Sequence, residues 1–176
     1  MKRVSERVIF KTKYFTIKDI DLISNDGETA TYQIIEKFNT ALIVPITAAG
    51  KFILIKEYFY AIDEYLWTFP KGRIDEGTNA LATANKELQE ETGYKASKLD
   101  KLGMLTMSPG YSTQRTFVYL ARDLEESKLE GDELGEIEVK EFKSDKILNW
   151  IVAGEINEAR TVTAFFLAQK FLESGK

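Results

Sequence analysis

The 176-residue chain contains no cysteine and no histidine. The first absence excludes disulfides, thiolate nucleophiles and cysteine-based zinc sites. The second excludes a Ser-His-Asp triad and any imidazole-ligated metal. Proline is scarce, and no apolar run reaches the ~18 residues that a membrane-spanning helix needs. The longest uncharged stretches, 38–50 and 102–114, each contain a proline and polar side chains. Lys2, Arg3, Glu6 and Arg7 open the chain with no apolar run behind them, unlike a secretory signal. A net charge of −4 leaves no broad basic footprint for nucleic acid. The expectation is a cytoplasmic protein with neither a membrane nor a nucleic acid as partner.

What remains is an acid-rich chain, with 28 Asp and Glu against 24 Lys and Arg. Any catalysis must run on carboxylates, Lys, Arg, Tyr, hydroxyls or a metal held by oxygen. A hard cation such as Mg²⁺, with Mn²⁺ as a substitute, suits that inventory. The length fits one domain, or one domain with a small extension.

Hydrophobic patterning predicts strands first and helices last. Segments 8–10 and 14–23 are rich in β-branched and aromatic residues, and Asn25-Asp26-Gly27 marks a turn into a return strand over 29–37. The compact apolar run 41–46 predicts a strand buried on both faces. Further strands are expected at 52–55, 66–69, 101–107, 116–122 and 137–142, with a loop over 71–78. A helix over 79–92 is framed by Asn79 as N-cap and Gly93 as stop, with Leu81, Ala84 and Leu88 as its apolar stripe. Two closing helices are expected, capped by Ser144 and Asn157. Val162, Phe165, Phe166 and Phe171 are the core contacts expected of the last one. This order argues for an α+β fold.

The most informative segment reads GRIDEGTNALATANKELQEETGY, from Gly72 to Tyr94. On a helix Glu87, Glu90 and Glu91 fall at i, i+3 and i+4, so three carboxylates share one face at the border of the core. Two readings of that spacing stay open. A solvated acidic face is the ordinary fate of such runs. Alternatively, the mutual repulsion of the acids is relieved by a divalent cation, which would also offset charge on a phosphate-bearing substrate.

The register of the segment resembles the Nudix hydrolase motif. Gly72, Glu87, Leu88, Glu90, Glu91, Gly93 and Tyr94 fall on the pattern, whereas Thr78 and Lys86 stand where the family has Glu and Arg. In the family those two residues pair and brace the loop against the helix. Here Lys86 is left to reach Asp75 or Glu76. The likeness extends to Lys56-Glu57-Tyr58 and Phe69-Pro70-Lys71-Gly72, and to Pro109, sixteen residues after Gly93, a position associated with the ADP-ribose and ADP-sugar group. Leu129-Glu130-Gly131-Asp132-Glu133 and Asn157-Glu158-Ala159-Arg160 are similar to the bacterial ADP compounds hydrolase subgroup.

The resemblance implies a Nudix α/β/α sandwich with a mixed sheet and N-terminal antiparallel strands, divided into a strand region over 1–38 and a Nudix domain over 39–176. It implies a homodimer formed through the N-terminal strands. It also implies Mg²⁺-dependent hydrolysis of ADP-ribose or a related nucleoside diphosphate sugar. Glu87, Glu90 and Glu91 correspond to the metal ligands, joined by the backbone carbonyl of Lys71. Glu133 is the first choice of general base, with Glu136 and Glu90 as competitors. Lys56 and Arg73 are candidates for holding phosphate, and Pro109 and Tyr111 for contacting the nucleoside. The alternatives are dinucleoside polyphosphates, NADH or GDP-sugars as substrates, or a nucleotide-binding module without turnover.

Overall fold

The computed structural model describes residues 1–131, 135 and 137–175 and divides into two compact units. The first comprises Met1–Asn39 and Thr106–Thr116. Strands β1 (Lys2–Lys11), β2 (Phe15–Ile23) and β3 (Thr29–Lys37) form an antiparallel meander. The turn between β2 and β3 is built by Ser24, whose hydroxyl accepts from the amides of Asp26 and Glu28, while Gly27 takes the left-handed conformation at φ 85°. Every residue of β1 is exposed, and polar pairs hold the strands laterally, with Lys18 bonded to both Glu6 and Glu36. The segment 106–116 joins this unit through β3: the Ile35 amide donates to the Tyr111 carbonyl at 2.6 Å, and the Thr113 amide to the Ile35 carbonyl at 3.1 Å.

The second unit comprises Thr40–Leu105 and Phe117–Lys176. It contains β4 (Thr40–Pro45), β5 (Phe52–Phe59), β6 (Glu64–Thr68), β7 (Lys71–Arg73), α1 (Ala80–Thr92), most of β8 (Tyr94–Thr106) and β9 (Arg115–Glu126), β10 (Glu138–Phe142), α2 (Ser144–Ala153) and α3 (Ala159–Glu173). One sheet has the order β7-β4-β9-β8 and another β10-β5-β6. A mixed sheet, antiparallel strands and three helices make the α+β class expected from the sequence.

The apolar run 41–46 shows why this unit has two cores. Its side chains alternate along the strand. Leu42 and Val44 join Ile147, Phe165 and Ala168 of the closing helices, while Ala41 and Ile43 join Ala84 and Leu88 of α1. All four strand residues are completely buried. Truncating a side chain such as Leu42 to Ala would cost roughly 2–5 kcal/mol.

Four local expectations are corrected. Residues 71–73 form a strand, paired with β4 in the register Leu42↔Lys71, Ala41↔Gly72 and Thr40↔Arg73. The N-cap of α2 is Lys143, because the Ser144 hydroxyl instead accepts from Gln169 of α3 at 2.6 Å. The N-cap of α3 is Glu158, whose carboxylate accepts from the Thr161 amide. Leu81 and Phe166 are exposed, since α1 buries Thr83, Ala84, Leu88, Glu91 and Thr92, and α3 turns Phe165 inward. The frame of α1 is as expected: Asn79 accepts from the Ala82 amide at 2.8 Å, and Gly93 closes the helix at φ 81°. Among the described residues, no helix is long and apolar enough to cross a membrane.

Candidate active site

Helix α1 presents its acids to strand β7. The face that buries Ala84 and Leu88 continues one turn later at Glu91, because 84, 88 and 91 follow the helical repeat. A carboxylate therefore occupies a core position and is only 4% exposed. One of its oxygens accepts from the Lys71 amide at 2.8 Å. Burial pushes the Glu91 carboxyl well above the usual carboxylate range. Lys71 opposes that rise, and the charges of Glu57 and Glu87 add to it.

Glu87, one turn earlier, lies against Gly72. A Cβ placed on Gly72 would sit 1.9 Å from the Glu87 carboxyl carbon. The glycine is thus needed for close approach rather than for an unusual backbone angle. Glu87 and Glu91 converge on the Lys71–Gly72 backbone, one against its Cα and the other on its amide.

Glu90 is drawn elsewhere. The Lys86 ammonium holds its carboxylate at 2.7 Å across one helical turn. Lys86 thus has Glu90 as a partner on its own helix. Arg73 makes the contact with Asp75, at 2.6 Å and 2.8 Å through two nitrogens. Thr78, standing where the family has Glu, turns its hydroxyl back to the Asp75 carbonyl at 2.7 Å. The loop before α1 is braced by this local turn.

Sequence reasoning missed Glu57 as a member of the site. On β5 it pairs with the Lys71 ammonium, and it accepts from the Thr68 hydroxyl at 2.9 Å. Both partners are largely sequestered, with side chains 21% and 9% exposed, so the pair places compensating charge beside Glu91. The available signal was the alternation of the strand: Lys56 and Glu57 must face opposite sides of the sheet. Lys56 lies 5.9 Å from the centre of the Trp67 ring, on the face away from Glu57.

A further contact ties β9 to the end of α1. Ser127 donates through its amide to the Gly93 carbonyl at 2.8 Å and through its hydroxyl to Gln89 at 2.9 Å. Lys128 donates to the Glu90 carbonyl at 2.8 Å. A cation at a helix C-terminus is favourable to the helix dipole. The acidic stretch bearing Glu133 and Glu136 follows, and both of those residues lie outside the described ones. Pro109 and Tyr111 are carried by the first unit, where the Tyr111 side chain is 55% exposed.

The candidate ligands around Lys71 and Gly72 are carboxylate oxygens, a donor type that suits a hard divalent cation. Among the described residues, no three acidic side chains stand close enough together to hold an ion. The arrangement brings Glu87 and Glu91 to the Lys71–Gly72 backbone, with Glu90 restrained by Lys86.

The NUDIX domain family matches residues 37–163. The chain is 32% identical to the ADP compounds hydrolase NudE of Escherichia coli K12 over 167 residues, covering 94% of this chain and 89% of that protein. It is 32% identical to the ADP-ribose pyrophosphatase of Bacillus subtilis 168 over 171 residues, covering 93% and 92%. A solved structure described as an ADP compounds hydrolase superposes with a TM-score of 0.89 at 30% identity, over 99% of this chain and 95% of that one. A helix whose acids meet a glycine-bearing strand, in a chain matched over most of its length, is accounted for in one way: this chain belongs to the Nudix family.

Proposed function

We propose that the chain hydrolyses the diphosphate bond of ADP-ribose or a related nucleoside diphosphate sugar, giving a nucleoside monophosphate and a sugar phosphate. The observation that carries this reading is the convergence of Glu87 and Glu91 on Lys71 and Gly72. The names of the two bacterial relatives support the substrate class.

Glu87, Glu91 and the Lys71 carbonyl would hold Mg²⁺ or Mn²⁺, and Glu90 would join them or orient a water after parting from Lys86. The bound cation supplies positive charge against the diphosphate and makes a bound water more acidic. A loop carboxylate takes the proton of the attacking water, with Glu133 the first choice and Glu136 and Glu90 behind it. Water oxygen bonds to one phosphorus of the bridge, the P–O bond to the other phosphate breaks, and that phosphate leaves with the electron pair. Arg73, on β7, would meet phosphate charge after releasing Asp75. Lys56 would contact phosphate only from the Trp67 face, which makes it the weaker candidate. Pro109 and Tyr111 are assigned to the nucleoside, with Tyr111 offering an exposed ring for stacking.

The experiment is a hydrolysis assay with Mg²⁺ over ADP-ribose, other nucleoside diphosphate sugars, dinucleoside polyphosphates and NADH, with products resolved. ADP-ribose should yield AMP and a sugar phosphate, and Glu91→Gln should lower turnover by orders of magnitude. Full activity in that variant would overturn the assignment of roles.

A homodimer through the N-terminal strands belongs to the same proposal. Its support is the set of exposed apolar side chains on β1, namely Val4, Val8, Ile9 and Phe10. Light scattering of the parent and of a Val8→Glu variant tests it, with a monomeric variant expected. A cytoplasmic location is part of the proposal and is tested by cell fractionation.

A further inference from the structure

The run Phe69-Pro70-Lys71 enters the site with only two backbone N–H groups, because Pro70 has none. Each is taken by a side chain from a different helix. The Lys71 amide donates to Glu91 of α1 at 2.8 Å, and the Phe69 amide donates to the Thr161 hydroxyl of α3 at 3.3 Å. Between them the Pro70 carbonyl accepts from the Ile43 amide at 2.9 Å. Phe69 and Thr161 are completely buried, so no water can replace these contacts.

The direction of the Thr161 hydroxyl is set by Glu158. That carboxylate accepts from the Thr161 hydroxyl at 2.9 Å and from the Thr161 amide at 2.8 Å, and its other oxygen takes the Arg160 guanidinium at 2.6 Å. An ionised carboxylate can only accept. The Thr161 proton must therefore point at Glu158, which leaves a lone pair for the Phe69 amide. A relay runs from Arg160 through Glu158 and Thr161 to Phe69, in the link between β6 and β7, and the next residues of the chain meet Glu91 and Glu87.

We propose that Glu158 and Thr161 are positioning residues of the cation site: they fix the Phe69 amide, and through it the placement of Lys71 and Gly72 against Glu91 and Glu87. This rests on the reading that Lys71, Glu87 and Glu91 hold a divalent cation. The role differs from capping alone. The Glu158 carboxylate would cap α3 through the Thr161 amide whether or not Thr161 carried a hydroxyl.

The test is Mn²⁺ binding, followed by electron paramagnetic resonance of the free ion without substrate, together with melting temperatures in the absence of cation. Thr161→Val keeps the shape and removes the acceptor. It should weaken Mn²⁺ binding by about tenfold, the lower end of what loss of a group orienting a metal ligand costs. Thr161→Ser should bind within about twofold of the parent, since its hydroxyl restores both contacts. In turnover, Thr161→Val should need correspondingly more Mg²⁺ for half-maximal rate, with KM for ADP-ribose unchanged. Parent-like Mn²⁺ binding by Thr161→Val overturns the proposal. So does equal weakening in Thr161→Ser with a matching fall in melting temperature, which is the mark of packing alone. If Thr161→Val does not fold, Glu158→Gln takes its place: weakened binding supports the relay, and parent-like binding overturns it. Absence of Mn²⁺ binding in the parent, or undiminished binding by Glu91→Gln, would instead overturn the cation site itself.

Discussion

The Glu87 carboxylate occupies the space into which any side chain at position 72 would project, so Gly72 and Glu87 are fitted to each other. The obstacle to a larger residue is the flexible end of a side chain rather than backbone. Gly72→Ala should therefore fold and melt close to the parent, while the Glu87 carboxylate is pushed off the strand. Mn²⁺ affinity should fall by about tenfold, a cost of ~1.4 kcal/mol. Calorimetric titration beside a thermal melt checks both halves, and unchanged affinity would remove Glu87 from the ligand set.

Glu91 sets a pH dependence with a definite sign. Burial raises its carboxyl pKa in the folded chain, with the opposing charge of Lys71 outweighed. Between the ordinary carboxylate pKa and the raised one, the folded state holds a proton that the unfolded state has released. Stability without cation then falls as pH rises through that window. Glu91→Gln removes the effect. In chelator, the variant should melt above the parent at about pH 7.5, and the two should converge near about pH 4. Added Mn²⁺ should reverse the order at neutral pH by stabilising only the parent. A parent that melts higher than the variant in chelator would contradict this account of Glu91.

The pair between Glu57 and Lys71 is mostly removed from water. Breaking it from one side leaves an uncompensated charge, so Glu57→Gln should cost about 3 kcal/mol in urea unfolding. The double variant Glu57→Leu with Lys71→Met should recover much of that loss, because two apolar groups need no partner. A double variant as unstable as the sum of its parts would show that the two residues act independently.

Lys86 holds Glu90 from an exposed position, with its side chain 62% accessible. Lys86→Ala should therefore change stability by no more than ~0.5 kcal/mol. It should also release Glu90. If Glu90 is a ligand, Mn²⁺ affinity rises in Lys86→Ala, and the rise disappears when Glu90→Gln is added. The same affinity in all three proteins would assign Glu90 to a role other than holding the ion.

Glu133 is the base proposed for the reaction. Glu133→Gln should lower kcat by about 10²–10⁴-fold with Mn²⁺ binding intact, and should remove the acid limb of the pH–rate profile. The same profile in Glu136→Gln distinguishes the two. An unchanged limb in both would transfer the role to Glu90.

The spacing of Glu87, Glu90 and Glu91, the cap at Asn79, the stop at Gly93 and the doubly buried run at 41–46 were all legible in the chain. Each depends on a local repeat or on the intrinsic preference of one residue. The absence of histidine and cysteine had likewise narrowed the chemistry to oxygen donors before any fold was known. Tertiary structure decided what those residues meet. The helical repeat puts Glu91 in line with Ala84 and Leu88, but it names neither the Lys71 amide as the partner of Glu91 nor Lys86 as that of Glu90. The pairing of Glu57 with Lys71 crosses fourteen residues, and the bond from Phe69 to Thr161 crosses ninety-two. No periodicity encodes contacts of that range. They arise because two helices and a strand edge must satisfy their polar groups in the same buried space, and only the packed chain specifies which groups satisfy one another.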